Sequence, residues 1–421
     1  METLSYSDFS WNLHQRVIAR RSPGIGAIEV TRRCPLKCAH CYNRLPLSDQ
    51  EAKSGELTYE EHCRILDEIT EAGCLWLLYT GGEIFARQDF LEIYTYAKKK
   101  GLLITLFTNG ILITPEIADT LAEWRPFSIE ISLYGCTPQT YERITSVKGS
   151  FERVTRGIQL LMERGLSLKL KTIVMTLNKD EIWETKRFVE EELGLEFKFD
   201  AMINPCIDCS QKPLALRLSP EEVVAFDVKD IKRMAEWRRF AEQFNGPAHP
   251  PEHLDELYHC GGGMNSFAID PYGKLRVCVL SCGDAYDLRK GSFRNGWENS
   301  LFKERFKRIT RETKCVSCEI KAMCGMCPAN GELENRDAEE PVDFLCQVAH
   351  LRSKALEMPV KPHGECEYCE PQERPTGLEE RDLRSLEERY TLGAASGLED
   401  KRICLKRKRS SNEVILKRSA P

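Results

Sequence analysis

The sequence predicts an α/β protein built on a parallel sheet, open or curled into a partial barrel, and three observations predict it. From residue 27 to 200 one unit recurs: a short apolar or β-branched run, a polar loop, and a helix with apolar residues at three- and four-residue spacing. The runs are apolar enough to be covered on both faces, as strands of a parallel sheet are. Glycines (Gly73, Gly101, Gly165, Gly194) stand where the intervening helices should stop.

In chain order the expected strands are Ala27–Thr31, Leu75–Thr80, Leu102–Thr108, Ser128–Leu133, Leu168–Met175 and Leu195–Asp200. Between them lie helical stretches Thr58–Ala72, Asp89–Lys100, Pro115–Trp124, Phe151–Gly165 and Asp180–Glu192. Thr58 with Glu61 three residues on reads as a capping box. After residue 200 the pattern changes. Ser219-Pro220-Glu221-Glu222 opens a long helix to about Phe244, with proline at its first position. A hairpin follows in "FAIDPYGKLRVCVL", whose apolar runs flank Asp270-Pro271-Tyr272-Gly273. The domains expected are an N-terminal extension (1–26), a barrel (27–203), a helical linker (204–259), a cysteine-rich region (260–358) and a charged tail (359–421).

The chain has 421 residues, enough to bury a core without disulfide staples. Its net charge of −5 gives no global attraction to nucleic acid or anionic lipid, and the basic run from Lys401 to Arg409 reads as part of a solvated tail. No segment has the length of a membrane span and no basic-then-apolar signal opens the chain, so a cytoplasmic protein is expected. Nineteen cysteines then need a reason, because a reducing cytosol does not sustain a disulfide framework. Metal or cluster ligation is that reason.

The first cysteines, Cys34-x3-Cys38-x2-Cys41 in "TRRCPLKCAHCYN", fall in the loop that leaves the first strand. In parallel α/β sheets the chemistry sits on such loops. Structural zinc takes four ligands in a closed tetrahedron. Three thiolates on a four-iron cluster instead leave one iron open to bind a small molecule.

"CPLKCAHCY" resembles the cluster motif of the radical S-adenosylmethionine (radical SAM) enzymes. "YTGGE" (79–83) after the second strand, "FTNG" (107–110) after the third and "SLYG" (132–135) at the end of the fourth also resemble stretches of that family. The resemblance implies a partial (β/α)6 barrel of the TIM-like kind over roughly residues 27–200. It implies a [4Fe-4S] cluster on Cys34, Cys38 and Cys41, whose open iron is chelated by S-adenosylmethionine. Reductive cleavage of that molecule gives a 5′-deoxyadenosyl radical that takes a hydrogen atom from the substrate. By the same match Gly81, Gly82 and Glu83 would receive the methionine ammonium, Ser132 would lie near its carboxylate or the ribose, and Tyr42 would line the adenine side.

The later spacing, Cys260-x12-Gly273-x4-Cys278, then Cys315-x2-Cys318-x5-Cys324-x2-Cys327 and Cys346, is similar to the SPASM extension, which holds two auxiliary iron–sulfur clusters. It departs in having two residues, Gly325 and Met326, where the family commonly has three. The match implies an outer cluster on Cys315, Cys318, Cys324 and Cys346 and an inner one on Cys260, Cys278 and Cys327. Cys282 is either the fourth inner ligand or a small hydrophobe that leaves an iron open. Cys136, Cys206 and Cys209 read as relays, substrate-binding thiols, extra ligands or incidental loop residues; Cys63 and Cys74 read as core. Cys366-x2-Cys369 reads as half a metal knuckle, or as unstructured tail.

The function expected is modification of a ribosomal peptide or protein side chain, with a small-molecule substrate as the alternative. From another class, a non-catalytic zinc-binding interaction protein is weighed. Expected partners are the peptide or protein substrate and a reducing partner such as flavodoxin or ferredoxin. Because 26 residues before the first strand do not hold a fused leader-binding module, either a separate leader-binding protein delivers the precursor, or the substrate is recognised directly, as in the sulfatase-maturing branch, or it is not a peptide. Neither nucleic acid nor membrane is expected.

Overall fold

The protein was analysed as a computed structural model that describes residues 6–246 and 255–369. The basic run 401–409 and most of the charged tail lie outside the described residues. Six strands, β1 (Ile25–Glu29), β2 (Trp76–Thr80), β3 (Leu103–Thr108), β4 (Ser128–Ser132), β5 (Leu168–Ile173) and β6 (Glu196–Asp200), lie side by side in chain order. All five pairings are parallel. Helices α1 (Tyr59–Glu71), α2 (Phe90–Lys99), α3 (Pro115–Glu123), α4 (Ser150–Glu163) and α5 (Ile182–Arg187) are the crossovers that parallel neighbours need.

Strand side chains alternate. Leu77, Ile104, Leu106, Ile129, Ile131 and Leu170 are buried in the core, whereas Phe107, Glu130, Ser132 and Lys171 on the other face keep partial exposure. A period of two thus gives one face to the helices and the other to the concave side of the sheet. The Thr58 capping box closes α1 as expected, with Glu61 N donating to Thr58 Oγ1 at 3.2 Å and Thr58 N to Glu61 Oε2 at 2.8 Å.

Several expectations are corrected. β1 starts two residues earlier than read and ends at Glu29, because Thr31 turns its hydroxyl to Glu56 and accepts from Arg33 N at 3.0 Å. The long helix from residue 219 is two helices, α6 (Pro220–Lys229) and α7 (Ile231–Phe244). Asp230 is extended there (φ −100°, ψ 101°), pairs with Lys186 and accepts from Arg233 N at 3.2 Å, which makes it the N-cap of α7. Helices Tyr6–Ala19 and Pro138–Thr145 were not read from the sequence. Cys74 is buried as expected, but Cys63 is half-buried on α1 beside the Tyr59 hydroxyl.

The cysteine-rich region is joined to the same sheet. β7 (Ser266–Ile269) pairs in parallel with β1 on the edge opposite β2. It turns back into β8 (Lys274–Arg276), which pairs with β9 (Tyr286–Asp287). The turn is built by Asp270, whose Oδ1 accepts from Tyr272 N and Lys274 N at 2.9 Å each. Beyond it, Cys327 is the N-cap residue of α8 (Pro328–Asn335), Cys346 lies on α9 (Asp343–Ala355), and α9 packs on α6.

Candidate active site

The loop after β1 is clamped on both sides before any of its cysteines is considered. Arg33 donates from Nε and Nη2 to the two oxygens of Glu56, 2.9 Å each, in a buried bidentate pair. Arg33–Cys34 pairs with Leu45–Pro46, and Lys37 N and Ala39 N donate to Thr145 O (2.8 Å) and Ile144 O (3.2 Å) at the end of helix Pro138–Thr145. Cys34, Cys38 and Cys41 are thereby held in one bend, with Cys41 N donating to Cys38 O at 3.2 Å.

The three thiols resist ionisation. Burial, with the charge of Glu83 second, pushes Cys34 up to about 12, and burial raises Cys38 and Cys41 as well. A thiolate in this place needs a cation to offset its desolvation. Asn109 Nδ2 donates to Cys34 Sγ at 3.4 Å, and the Tyr134 hydroxyl bonds the Cys38 thiol. His40 packs edge-on against Tyr134, its ring lowered to about 4 by burial and its Nδ1 buried without a partner. Three soft donors that favour a bound cation, with one buried nitrogen unused, fit a cluster that takes three thiolates.

Gly81 and Gly82 are pressed onto the backbone of this loop. Gly82 N donates to Thr31 O at 2.7 Å and Glu83 N to Arg33 O at 3.1 Å. A Cβ on Gly81, whose φ is +137°, would lie 2.2 Å from Thr31 O; one on Gly82 would lie 2.5 and 2.6 Å from Arg32 O and Arg33 O. The glycines therefore have a reason in this chain besides room for a ligand: no side chain fits between the two loops. Glu83 is 1% exposed, and its burial raises it to about 6 against three hydrogen bonds. Its Oε1 accepts from Thr108 Oγ1 (2.6 Å) and Phe85 N (3.2 Å), and its Oε2 from Asn109 N (2.7 Å). A carboxylate has about four lone-pair sites, so one on Oε2 is left for a donor from outside.

Ser132, at the C-terminal end of β4, lies beside the Tyr134 hydroxyl. Tyr42 sits between the two halves of the molecule: its carbonyl accepts from Ile207 N at 3.0 Å, and its phenol, raised by burial, feels Glu29, Cys41, Arg32 and Cys278. Asn109, Tyr134, Glu29 and Lys171 were not singled out from the sequence. Glu29 ends β1, is 2% exposed, and accepts from Asn43 Nδ2 at 2.6 Å. On the concave face Lys171 lies over the ring of Phe107 and 3.2 Å from Glu130; burial lowers it to about 8 against the attraction of Glu130. Charged residues within otherwise apolar strand runs were the available signal for Glu29, Glu130 and Lys171, since a strand covered on both faces by apolar side chains has no use for them.

In the C-terminal half Cys260, Cys278 and Cys327 lie within one another's electrostatic reach, and burial pushes Cys278 up to about 11. Cys315, Cys318, Cys324 and Cys346 line a single pocket with Lys314, Met326 and Val342. Cys282 is directed elsewhere. It is exposed, its thiol donates to Ile207 O at 3.7 Å beside Cys209, and its N–H donates to Glu332 Oε2 at 3.1 Å. The loop after β6 thus bridges the two halves, with the Cys206 thiol 3.7 Å from Cys41 O and the Cys209 thiol 3.6 Å from Glu332 O. Cys136 belongs to a helix start: its N–H and that of Thr137 donate to Glu181 Oε1 at 2.7 and 2.9 Å. Cys366 and Cys369, read as half a knuckle or unstructured tail, fold back against α9, where Cys366 is 8% exposed. Every cysteine of the described residues is a free thiol.

A parallel α/β partial barrel with three thiols on the loop after its first strand, clasped by a glycine-glycine-glutamate turn after the second, defines a cluster-binding enzyme fold. Residues 28–189 match the radical SAM superfamily, and the chain is a radical SAM enzyme with a C-terminal cysteine cluster. The family implies a [4Fe-4S] cluster and S-adenosylmethionine.

The chain is 26% identical over 351 residues to the AdoMet-dependent heme synthase of Methanosarcina barkeri, covering 76% of this chain and 96% of that one. It is 36% identical over 254 residues to the PqqA peptide cyclase of Ruegeria pomeroyi, covering 59% and 66%. Its fold is similar to that of Streptococcus suis SuiB bound to the precursor peptide SuiA, with a TM-score of 0.61, 17% identity and 82% of each chain covered. As an enzyme, the chain is not the non-catalytic zinc-binding protein weighed above. No helix among the described residues is long and apolar enough to cross a membrane.

Proposed function

We propose that this radical SAM enzyme modifies a side chain of a ribosomal peptide or protein, with barrel residues 27–203 starting the reaction and residues 260–358 holding two auxiliary iron–sulfur clusters. The observation that carries the reading is the seam made by the loop after β6: Ile207 N donates to Tyr42 O at 3.0 Å and the Cys206 thiol lies 3.7 Å from Cys41 O beside the first thiol set, while Ile207 O accepts from Cys282 of the cysteine-rich region at 3.7 Å. Substrate at the mouth of the barrel would therefore meet both sets.

A cluster held by Cys34, Cys38 and Cys41 with S-adenosylmethionine bound would supply the one-electron reduction that yields a 5′-deoxyadenosyl radical for hydrogen abstraction. The chain's own residues position the reactants. Cys34, Cys38 and Cys41 hold the cluster; Glu83 offers its free lone pair to the methionine ammonium; Ser132 and Tyr42 border the rest of that ligand. Lys171 and Glu130 give the concave face a charged pair for orienting a polar substrate. Cys315, Cys318, Cys324 and Cys346 surround the outer cluster, and Cys260, Cys278 and Cys327 the inner one. The placement of Cys282 beside Cys209 supports an inner set of three thiols over one of four.

Similarity to a peptide cyclase and to a fold seen with a precursor peptide supports the peptide reading. The heme synthase, matched over nearly its whole length, favours a small molecule as the second reading. A one-electron donor of the flavodoxin or ferredoxin kind, a separate leader-binding protein and a reducing, cytoplasmic setting complete the proposal. The test is to incubate the anaerobically reconstituted, reduced enzyme and S-adenosylmethionine with short peptides encoded beside its gene. A peptide whose mass changes only with the complete mixture supports the reading; turnover of a porphyrin with no change in any peptide overturns it.

A further inference from the structure

We propose that His350, His363, Cys366 and Cys369 form a mononuclear zinc site against the outer wall of the outer-cluster pocket, separate from both auxiliary clusters and independent of the substrate reading above. One ligand atom from each of the four lies within 4.8 Å of the others. The distances are those of one small ion. Zinc takes bonds of about 2.3 Å to sulfur and about 2.0–2.1 Å to nitrogen, so two ligands on one tetrahedron are about 3.3–3.8 Å apart. His350 Nε2 is 3.7 Å from Cys366 Sγ and 3.5 Å from Cys369 Sγ, and His363, whose Nδ1 lies 3.0 Å from Lys361 O and so carries the proton, has its free Nε2 3.9 Å from Cys369 Sγ. In a two-iron centre of the Rieske kind the histidines and cysteines sit on different irons, which would set nitrogens and sulfurs farther apart than one such edge.

The surroundings suit a metal. His350 Nδ1 is 2.8 Å from Cys346 O, so it carries the proton and leaves Nε2, the atom that faces both thiols, as the free donor. His363 is 5% and Cys366 8% exposed, so soft donors are collected out of water at the end of a chain segment that has no apolar run to bury. The segment is tied down at both sides. Lys361 pairs with Glu319 at 2.9 Å, and the Tyr368 hydroxyl donates to Asp343 at 2.7 Å and accepts from Gln347 Nε2 at 2.8 Å.

The site abuts the outer pocket without sharing its ligands. Cys346, one helical turn before His350, lines that pocket, and its Sγ is 3.8 Å from Cys366 Sγ. His350 and His363 line the same pocket. Zinc here would staple residues 361–369 to α9 and close the wall beside Cys346, which a cluster alone would leave to a few surface hydrogen bonds.

The test is metal analysis and zinc K-edge absorption on the full chain, purified and iron-reconstituted without oxygen. The proposal expects about one zinc per chain besides the cluster iron, in a first shell of two sulfurs and two nitrogens at the bond lengths above. The double variant His363→Ala/Cys369→Ala should lose the zinc and keep wild-type iron. Full iron with no zinc, a zinc shell of sulfur alone, or zinc retained by the double variant overturns the proposal. Should the variant fail to fold, the wild-type absorption spectrum decides between these outcomes by itself.

Discussion

Cys34, Cys38 and Cys41 come from a single short loop between two strands, whereas the C-terminal thiols are gathered from the β8 edge, two turns, the start of α8 and the face of α9. In the first region the thiols are already neighbours along the chain, and contacts from elsewhere have only to fix their bend: Arg33 with Glu56, the Gly81–Gly82 turn and the end of helix Pro138–Thr145. In the second, each thiol depends on tertiary packing, and two candidate metal environments share a wall at Cys346. The difference teaches that a short spacing can specify one cluster, while a dispersed set leaves the sorting of ligands to the fold.

The largest test of this contrast is Cys38→Ala. Iron should fall from about twelve to about eight atoms per chain if all three clusters are of the four-iron type, because the auxiliary thiols do not depend on the first loop. Iron analysis of the reconstituted variant checks it, and a loss from every cluster would break the contrast.

Glu56→Gln comes next. It leaves the Arg33 guanidinium buried without its charge partner, which costs about 3–5 kcal/mol and should appear as a lower urea midpoint. Gly82→Ala pushes a methyl group into two carbonyl oxygens that belong to backbone and cannot swing away. A destabilisation of about 1–3 kcal/mol is expected, again by urea unfolding. Cys282→Ala should do least. Iron content stays at the wild-type level, whereas Cys278→Ala loses about four atoms; equal losses in the two variants would return Cys282 to the inner cluster.

Much of the first region was legible. The strands β2 to β6 fall within two residues of the apolar runs that marked them, and the Thr58 box and the position of the thiol loop could be read from spacing. The contacts of Asn109 and Tyr134, which lie in the quoted stretches "FTNG" and "SLYG", could not, because they reach Cys34 and Cys38 only when separate strand ends converge. The break at Asp230 was hidden for a related reason: an aspartate inside a helical pattern becomes a cap only once Lys186 and the Arg233 amide are beside it. In the second region, spacing was sufficient to find the thiols and insufficient to sort them. Cys366 and Cys369 looked like half a knuckle because their partners, His350 and His363, are histidines that no pattern linked to them.

The central claim is that the loop after β1 is where the reaction starts, and release of 5′-deoxyadenosine tests it most directly. Anaerobically reconstituted protein, reduced and given S-adenosylmethionine, should release 5′-deoxyadenosine, and the Cys38→Ala protein under the same conditions should release none. Wild-type protein with a full complement of iron and no 5′-deoxyadenosine, or equal release by the variant, would contradict it.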